Sequence, residues 1–293
     1  MTARGPDRRA IAFLAPYLIG TFALVLLPAL LTFRYAFTDF TGLGQGGFTG
    51  LANFRRLYDD PFFHASLRAS AIHVMIAVPL RLGLAVGFAL LLAAPRRGGR
   101  WYRLAVYLPT VIPDVALALL FLWVLNPVYG PLNQLLGLLG LPQPTWLAEI
   151  AGARAGVVLM LLFPIGEAFL VVLATRRAIG ARLYEAAALE GARPWQQLRH
   201  ITLPLLAPVL ALLAIRDVAL SLQSTFVPAY VLTDGGPLFA TLYVPIYVFD
   251  QAFEFLGFGY GAMITLVVLA ITLLLVVGQL LLVRRWRAWR VLR

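Results

Sequence analysis

The chain has 293 residues, of which 61% are hydrophobic and 13% charged, with a mean hydropathy of +0.86; this excludes a large soluble domain and predicts an all-α polytopic membrane protein. The formal charge is +11 and all 24 cationic residues are arginine, so the chain has no lysine to serve in a phosphate-binding loop and any ATP chemistry must come from another chain. It has no cysteine, which rules out disulfides and cysteine-held zinc or iron–sulfur groups.

A helix needs about 20 apolar residues to cross a bilayer. Six stretches meet that length: 11–33, 67–94, 104–125, 155–174, 205–232 and 261–283. The first follows Arg4, Arg8 and Arg9, is too long for a leader and lacks a small-residue cleavage site, so it reads as a retained anchor. Alternate connections carry the arginines. Arg4, Arg8 and Arg9, then Arg96, Arg97, Arg100 and Arg103, then Arg176, Arg177, Arg182, Arg193 and Arg199, and finally Arg284, Arg285, Arg287, Arg290 and Arg293 fall on one side, 17 in all. The opposite side holds Arg34, Arg55 and Arg56 among Asp39, Asp59, Asp60, Glu149, Asp234, Asp250 and Glu254. The positive-inside bias places both termini and the 179–204 connection in the cytoplasm of a prokaryotic cell. It also accounts for the basic excess without nucleic acid.

Between the third and fourth stretches, 126–149 is rich in Pro and Gly and has no basic residue. Between the fifth and sixth, 240–258 mixes Tyr243, Tyr247, Phe249, Phe253, Phe255 and Phe258 with Asp250 and Glu254. Such aromatics read as interfacial anchors, with sugar stacking as the alternative. His64, His73 and His200 are too scattered for a metal site.

Arg81, Asp114, Glu167, Arg216 and Asp217 fall within the apolar stretches. An ionised group there costs about 2.5–3.5 kcal/mol on insertion scales, so these five are expected to face a cavity, a partner helix or one another. In the fifth stretch Asp217, Ser221, Ser224 and Thr225 stand at i, i+4, i+7 and i+8, on one face of a continuous helix. Convergent donors and acceptors of that kind bind sugar hydroxyls. Gln223 and Asn126 are weaker candidates for the same lining. Arg216 is about 100° round the helix from Asp217 and is expected to serve a different surface. The competing reading has the serines bonding their own helix and the charges forming structural ion pairs.

The most informative segment lies between the fourth and fifth stretches, RLYEAAALEGARPWQQLRHITLPLLAP over 182–208. Tyr184 to Glu190 is rich in helix formers, Gly191 suits a left-handed helix end, and Pro194 suits a first helical turn. On local physics alone this is a helical hairpin at the membrane surface. Glu185-Ala186-Ala187, Gly191 four residues later, and Ile201, Leu203 and Pro204 together resemble the EAA loop of ATP-binding-cassette (ABC) importer permeases. Thr233 to Pro237 (TDGGP) is similar to the LTxGGP run of the carbohydrate-uptake permeases of the maltose and glycerol-3-phosphate type. Val78-Pro79-Leu80, Leu108-Pro109, Ile112-Pro113 and the Gly257–Ala262 entry to the last stretch extend the likeness nearly end to end, and 126–149 looks like that group's partly helical external segment. Two departures are Glu190, where an aspartate is usual, and the missing proline before Leu183-Tyr184-Glu185.

The resemblance implies a single permease domain over 1–293 with the type I importer fold, coupled through 179–204. Glu185, Ala186, Ala187, Glu190, Gly191 and Trp195 would dock on a cytoplasmic ATPase. Asp217, Ser221, Ser224, Gln223, Glu167, Arg81 and Asp114 are the candidate substrate pathway. Its implied partners are a second, homologous permease, two ATPase subunits, an external binding protein and a sugar or sugar derivative. No cofactor and no metal are expected on this chain, which is not an enzyme; ATP and magnesium belong to the ATPase. The rivals are an ion-coupled secondary transporter and a membrane-embedded enzyme, with Asp114, Glu167 and Asp217 as the working carboxylates.

Overall fold

The computed structural model describes residues 8–44, 46–94 and 97–291; of the arginines counted above, Arg4, Arg96 and Arg293 lie outside them. The described residues fold into helices α1 (Arg8–Thr21), α2 (Leu27–Tyr35), α3 (Ala52–Asp59), α4 (Pro61–Leu91), α5 (Gly99–Tyr107), α6 (Asp114–Val124), α7 (Pro131–Leu138), α8 (Ile150–Leu162), α9 (Gly166–Ala178), α10 (Ala181–Leu189), α11 (Pro194–Gln197), α12 (Leu203–Ser221), α13 (Phe226–Thr233), α14 (Val244–Phe249) and α15 (Phe258–Val291). Four continuous helical stretches are long and apolar enough to cross a membrane: Phe13–Tyr35, Pro61–Leu91, Pro194–Ser221 and Phe258–Arg284. Two bent pairs bring the number to six if each pair is one span.

The bent pairs coincide with the third and fourth stretches, each given above as one apolar span. Between α5 and α6 the axis turns by 101°. Pro113 excludes Ile112 from the α region, and Ile112 is extended at ψ 129°. Pro164 lies in the break between α8 and α9, where the axis turns by 51°. The fifth stretch differs as well. Its helix begins at Pro194, eleven residues before the expected start, and ends at Ser221; a turn over 222–225 separates it from α13. A π turn joins α11 to α12 over Leu198–Thr202, and another joins α1 to α2 over Phe22–Leu26. Each spans the residue four before a proline, Pro204 or Pro28, whose missing N–H leaves that carbonyl without its helical donor.

The chain divides into two compact units. The smaller comprises the chain up to Phe63 together with Val248–Ala270. Inside it the Asn53 amide donates to the carbonyls of Ala36 and Thr38 at 2.9 and 2.8 Å. The Arg56 guanidinium lies 4.0 Å from the Tyr260 ring centre, and the Tyr260 hydroxyl donates to the Asp60 carboxylate.

The larger unit, His64–Tyr247 with Ile271–Arg293, holds the site. In it α9 packs against α5 and α12, and α13 against α6 and α8. Ala85, Ala89 and Leu92 meet Phe169, Val172 and Leu173 of α9 and Leu206 of α12 in a buried cluster. Ala85 and Ala89 put small side chains at this interface, which favours helix association in lipid. Gly166, the first residue of α9, does the same: a Cβ there would lie 2.9 Å from the Tyr107 Cα. Its N–H, unsatisfied within the helix, donates to Thr110 Oγ1 at 3.0 Å.

Two of the supposed interfacial aromatics are core residues. Tyr243 and Tyr247 are buried, in a segment tied down by the Val244 N–H on Ser70 Oγ at 3.0 Å and by Arg154 donating to the Ala240 carbonyl. Burial pushes the Tyr243 phenol above the ordinary tyrosine range. Phe253 and Phe255 remain exposed, as interfacial anchors would be.

Candidate functional site

Two features carry chemistry in the larger unit. The first is a cavity of about 320 Å³ lined by residues of α4, α6, α9 and α12, the break before α9, the α5–α6 connection and the turn after α12. Arg81, Asp114, Glu167, Arg216, Asp217 and Ser224 all border it. The helix breaks explain how two of the acids come to be there. Asp114 is the first residue of α6 and Glu167 lies in the first turn of α9, where the positive end of the helix dipole favours a carboxylate. Each begins a half-helix just past a proline, and such broken helices are tolerated at membrane depth where they line a cavity.

Both basic groups are held in ion pairs. Arg81 Nε on α4 approaches Asp217 Oδ2 on α12 at 3.2 Å, with side chains only 13% and 17% exposed. The contact is electrostatic and off the hydrogen-bonding line, since neither atom has a hydrogen-bond partner. Another nitrogen of the same guanidinium donates to Ser221 Oγ. Arg216 of α12 donates to the Glu167 carboxylate on α9.

The structure therefore brings five of the seven pathway candidates to one cavity and displaces two. Ser221 is buried beneath Arg81 and Gln223 is exposed, and neither is among the lining residues. The stripe is broken because α12 stops at Ser221, so Ser224 reaches the cavity from a turn instead of from the same helical face. Arg216, expected on a different surface from Asp217, borders the same cavity; the cavity is wide enough to span the 100° between them. Thr110 also lines it and was not foreseen. The signal for it was present: Pro109 and Pro113 flank it inside an apolar stretch, and prolines there mark a break whose polar groups need a cavity.

The second feature is the hairpin formed by α10, α11 and the start of α12. Gly191 has φ +82°, the left-handed region that glycine enters without strain. Its N–H donates to the Ala188 carbonyl at 3.0 Å and the Ala192 N–H to the Ala187 carbonyl at 2.9 Å, the paired bonds of a Schellman helix end. The Arg193 N–H then donates to Gln196 Oε1 at 2.7 Å, with Pro194 opening α11. Across the hairpin the Tyr184 hydroxyl bonds the Thr202 hydroxyl at 2.9 Å, while the Arg176 guanidinium lies 4.2 Å from the Tyr184 ring centre. Glu185, Ala186, Glu190, Gly191 and Trp195 are left on the surface, with Ala187 partly covered. A second cavity of about 320 Å³ is lined by Ala187, Glu190, Gly191, Gln196, Gln197 and His200 among others. The second helix of the hairpin does not end before the membrane: α11 runs through the π turn into α12, making the hairpin and a candidate span one continuous helix, Pro194–Ser221.

The larger unit is thus a bundle of bent, membrane-length helices with a surface hairpin continuous with one of them. The chain belongs to the family described as the binding-protein-dependent transport system inner membrane component, whose model matches residues 81–288. It is 32% identical to a probable ABC transporter permease of Pyrococcus horikoshii over 94% of this chain and 96% of the other. Against the trehalose/maltose transport system permease MalF of Thermococcus litoralis it is 30% identical, covering 88% of each. The sulfoquinovosyl glycerol transport system permease SmoG of Agrobacterium fabrum is 29% identical over 94% of this chain and 90% of that one. A chain of a bacterial ABC transporter that imports the acidic polysaccharide alginate has the same fold, with a TM-score of 0.81 at 22% identity over 95% of this chain and 96% of that chain. A related structure, with TM-score 0.80, is that transporter in complex with an alginate pentasaccharide-bound periplasmic protein. The protein is thus a multi-pass ABC importer permease and a non-catalytic transport subunit. None of the proteins named here is a secondary transporter, and that rival reading is set aside.

Proposed function

We propose that this permease forms half of the pathway for a sugar or sugar derivative, and that its hairpin takes up motion from a cytoplasmic ATPase. The observation that carries the coupling reading is the continuity of Pro194–Ser221: a displacement of Trp195 or Gln197 moves the same helix that bears Arg216 and Asp217 at the cavity. Sugar as cargo is supported by the names of the relatives, which include trehalose/maltose and sulfoquinovosyl glycerol systems, and by a cavity of carboxylates and hydroxyls suited to polyols. The working complex pairs this chain with a second permease, two ATPase subunits and an external binding protein, with both termini and the hairpin cytoplasmic. ATP and magnesium act on the ATPase, and this chain holds no cofactor. Glu185, Ala186, Ala187, Glu190, Gly191 and Trp195 form the docking surface.

The test is sugar uptake into proteoliposomes that hold the complete importer. Uptake that requires internal ATP and the binding protein, and stops with vanadate, is expected. Uptake driven by an ion gradient without ATP overturns the proposal.

A further inference from the structure

The charges around the cavity bordered by Arg81 and Arg216 do not balance, and the way they are paired has a consequence for selectivity. Three carboxylates, Asp114, Glu167 and Asp217, face two guanidiniums, Arg81 and Arg216. Arg81 is mostly out of solvent and committed to Asp217 and Ser221. Arg216 is committed to Glu167, but here both side chains are half exposed, at 50% and 55%. Asp114 is exposed at the cavity wall and belongs to neither pair. Among the described residues that line it, the cavity therefore shows an incoming molecule one uncommitted carboxylate and no uncommitted cation.

We propose that Glu167 is the selectivity residue of this cavity: by holding the Arg216 guanidinium in an ion pair it fits the cavity to uncharged, hydroxyl-rich sugars and sets it against anionic ones. The inference rests on the reading of the cavity as a sugar pathway. A neutral sugar donates its hydroxyls to Asp114 and meets no repulsion. A carboxylated or otherwise anionic sugar has to displace Glu167 from Arg216 while facing Asp114, and both effects oppose its entry. The half-exposed setting makes Glu167 the adjustable partner. A half-exposed pair holds the fold together only weakly, so its carboxylate can be neutralised without unfolding the bundle, unlike that of Asp217.

The absence of cysteine allows the cavity potential to be measured directly. Ser224→Cys places a single thiol of this chain on the cavity wall. In the complete importer, its modification rates by an anionic and a cationic methanethiosulfonate of similar size report the local charge, with the unsubstituted complex as blank. Relative to a free thiol, the cationic reagent is expected to react faster. Adding Glu167→Gln should move the anion-to-cation rate ratio by about tenfold or more toward the anion. Glu167→Asp should leave the ratio in place, and Arg216→Gln should shift it by a similar factor the other way. Glu167→Gln with Arg216→Gln should return it to the parent value, a cycle that also separates local charge from misfolding. A ratio unmoved by either single charge-neutralising change overturns the proposal. Failure of the pathway reading is seen separately: the transported sugar, carried in by its binding protein, then gives Ser224→Cys no protection, whatever the ratio does.

Discussion

Arg81 on α4 and Asp217 on α12 meet at 3.2 Å with more than four-fifths of each side chain out of solvent, and the same guanidinium reaches Ser221 one turn further along α12. A pair so placed ties the two helices together, and removing one member strands the other. Asp217→Asn is expected to destabilise the permease by on the order of 3 kcal/mol, because it leaves a buried guanidinium uncompensated. Arg81→Met with Asp217→Leu should recover much of that loss. Thermal unfolding of the purified complex reads both. Unchanged stability together with failed uptake in Asp217→Asn would instead make Asp217 a group that recognises substrate.

The pattern of what was legible follows from which physics is local. The hairpin could be read because its determinants lie within a few residues of one another: Gly191 ends α10 and Pro194 opens α11. The six apolar stretches and the membrane class needed only composition. The broken third and fourth spans were written in Pro113 and Pro164, yet apolar length concealed them, since hydropathy averages over a bend. The pairing of Arg216 with Glu167 joins residues 49 apart in sequence. Nothing local specifies that contact, so the charges could be nominated but not matched. Tyr243 was misread for a similar reason: an aromatic among aromatics gives no sign of whether Ser70 and Arg154 will fasten its segment into the core.

The orientation drawn from the arginine distribution has a direct check. Ala188 on the hairpin and Leu238 in the segment after Asp234 are both exposed, and each can be replaced singly by cysteine in a chain that has none. An impermeant maleimide is expected to label Leu238→Cys in intact cells and Ala188→Cys only in inverted vesicles. Labelling of both from one side would break the six-span topology.

Gly166 tests the packing at the bent fourth span. A side chain there meets Tyr107 backbone, which cannot step aside. Gly166→Leu is expected to abolish the assembled permease. Thr110→Val, which removes the acceptor of the Gly166 N–H, should cost about 1–3 kcal/mol and leave assembly intact. Detergent-purified yield and thermal unfolding measure the two. Normal yield of Gly166→Leu would show that α9 does not press on α5 as described.

The last prediction concerns force transmission and turns on Gly191. A Cβ at this position meets no atom within 4 Å, so space is not what requires glycine. The requirement is the backbone, held at φ +82°. Substitutions should therefore rank by their tolerance of the left-handed region: Gly191→Asn close to the parent, Gly191→Ala weakened by about 1 kcal/mol, and Gly191→Val worst because its β-branch is least compatible with positive φ. Loss of the Schellman end redirects α11, and α11 is the first turn of the helix that reaches the cavity. Glu185→Arg acts differently, by reversing an exposed charge at the proposed docking surface while leaving the turn intact; interfacial charge pairs can contribute about 1.5–7 kcal/mol. Gly191→Val and Glu185→Arg should both lose substrate-stimulated ATP hydrolysis and retain less ATPase on purification, with insertion of the permease pair unaffected. Only Gly191→Val should also loosen the hairpin, as faster amide exchange over 187–197. Normal ATPase retention and normal stimulated hydrolysis in both variants would remove the hairpin from the coupling path.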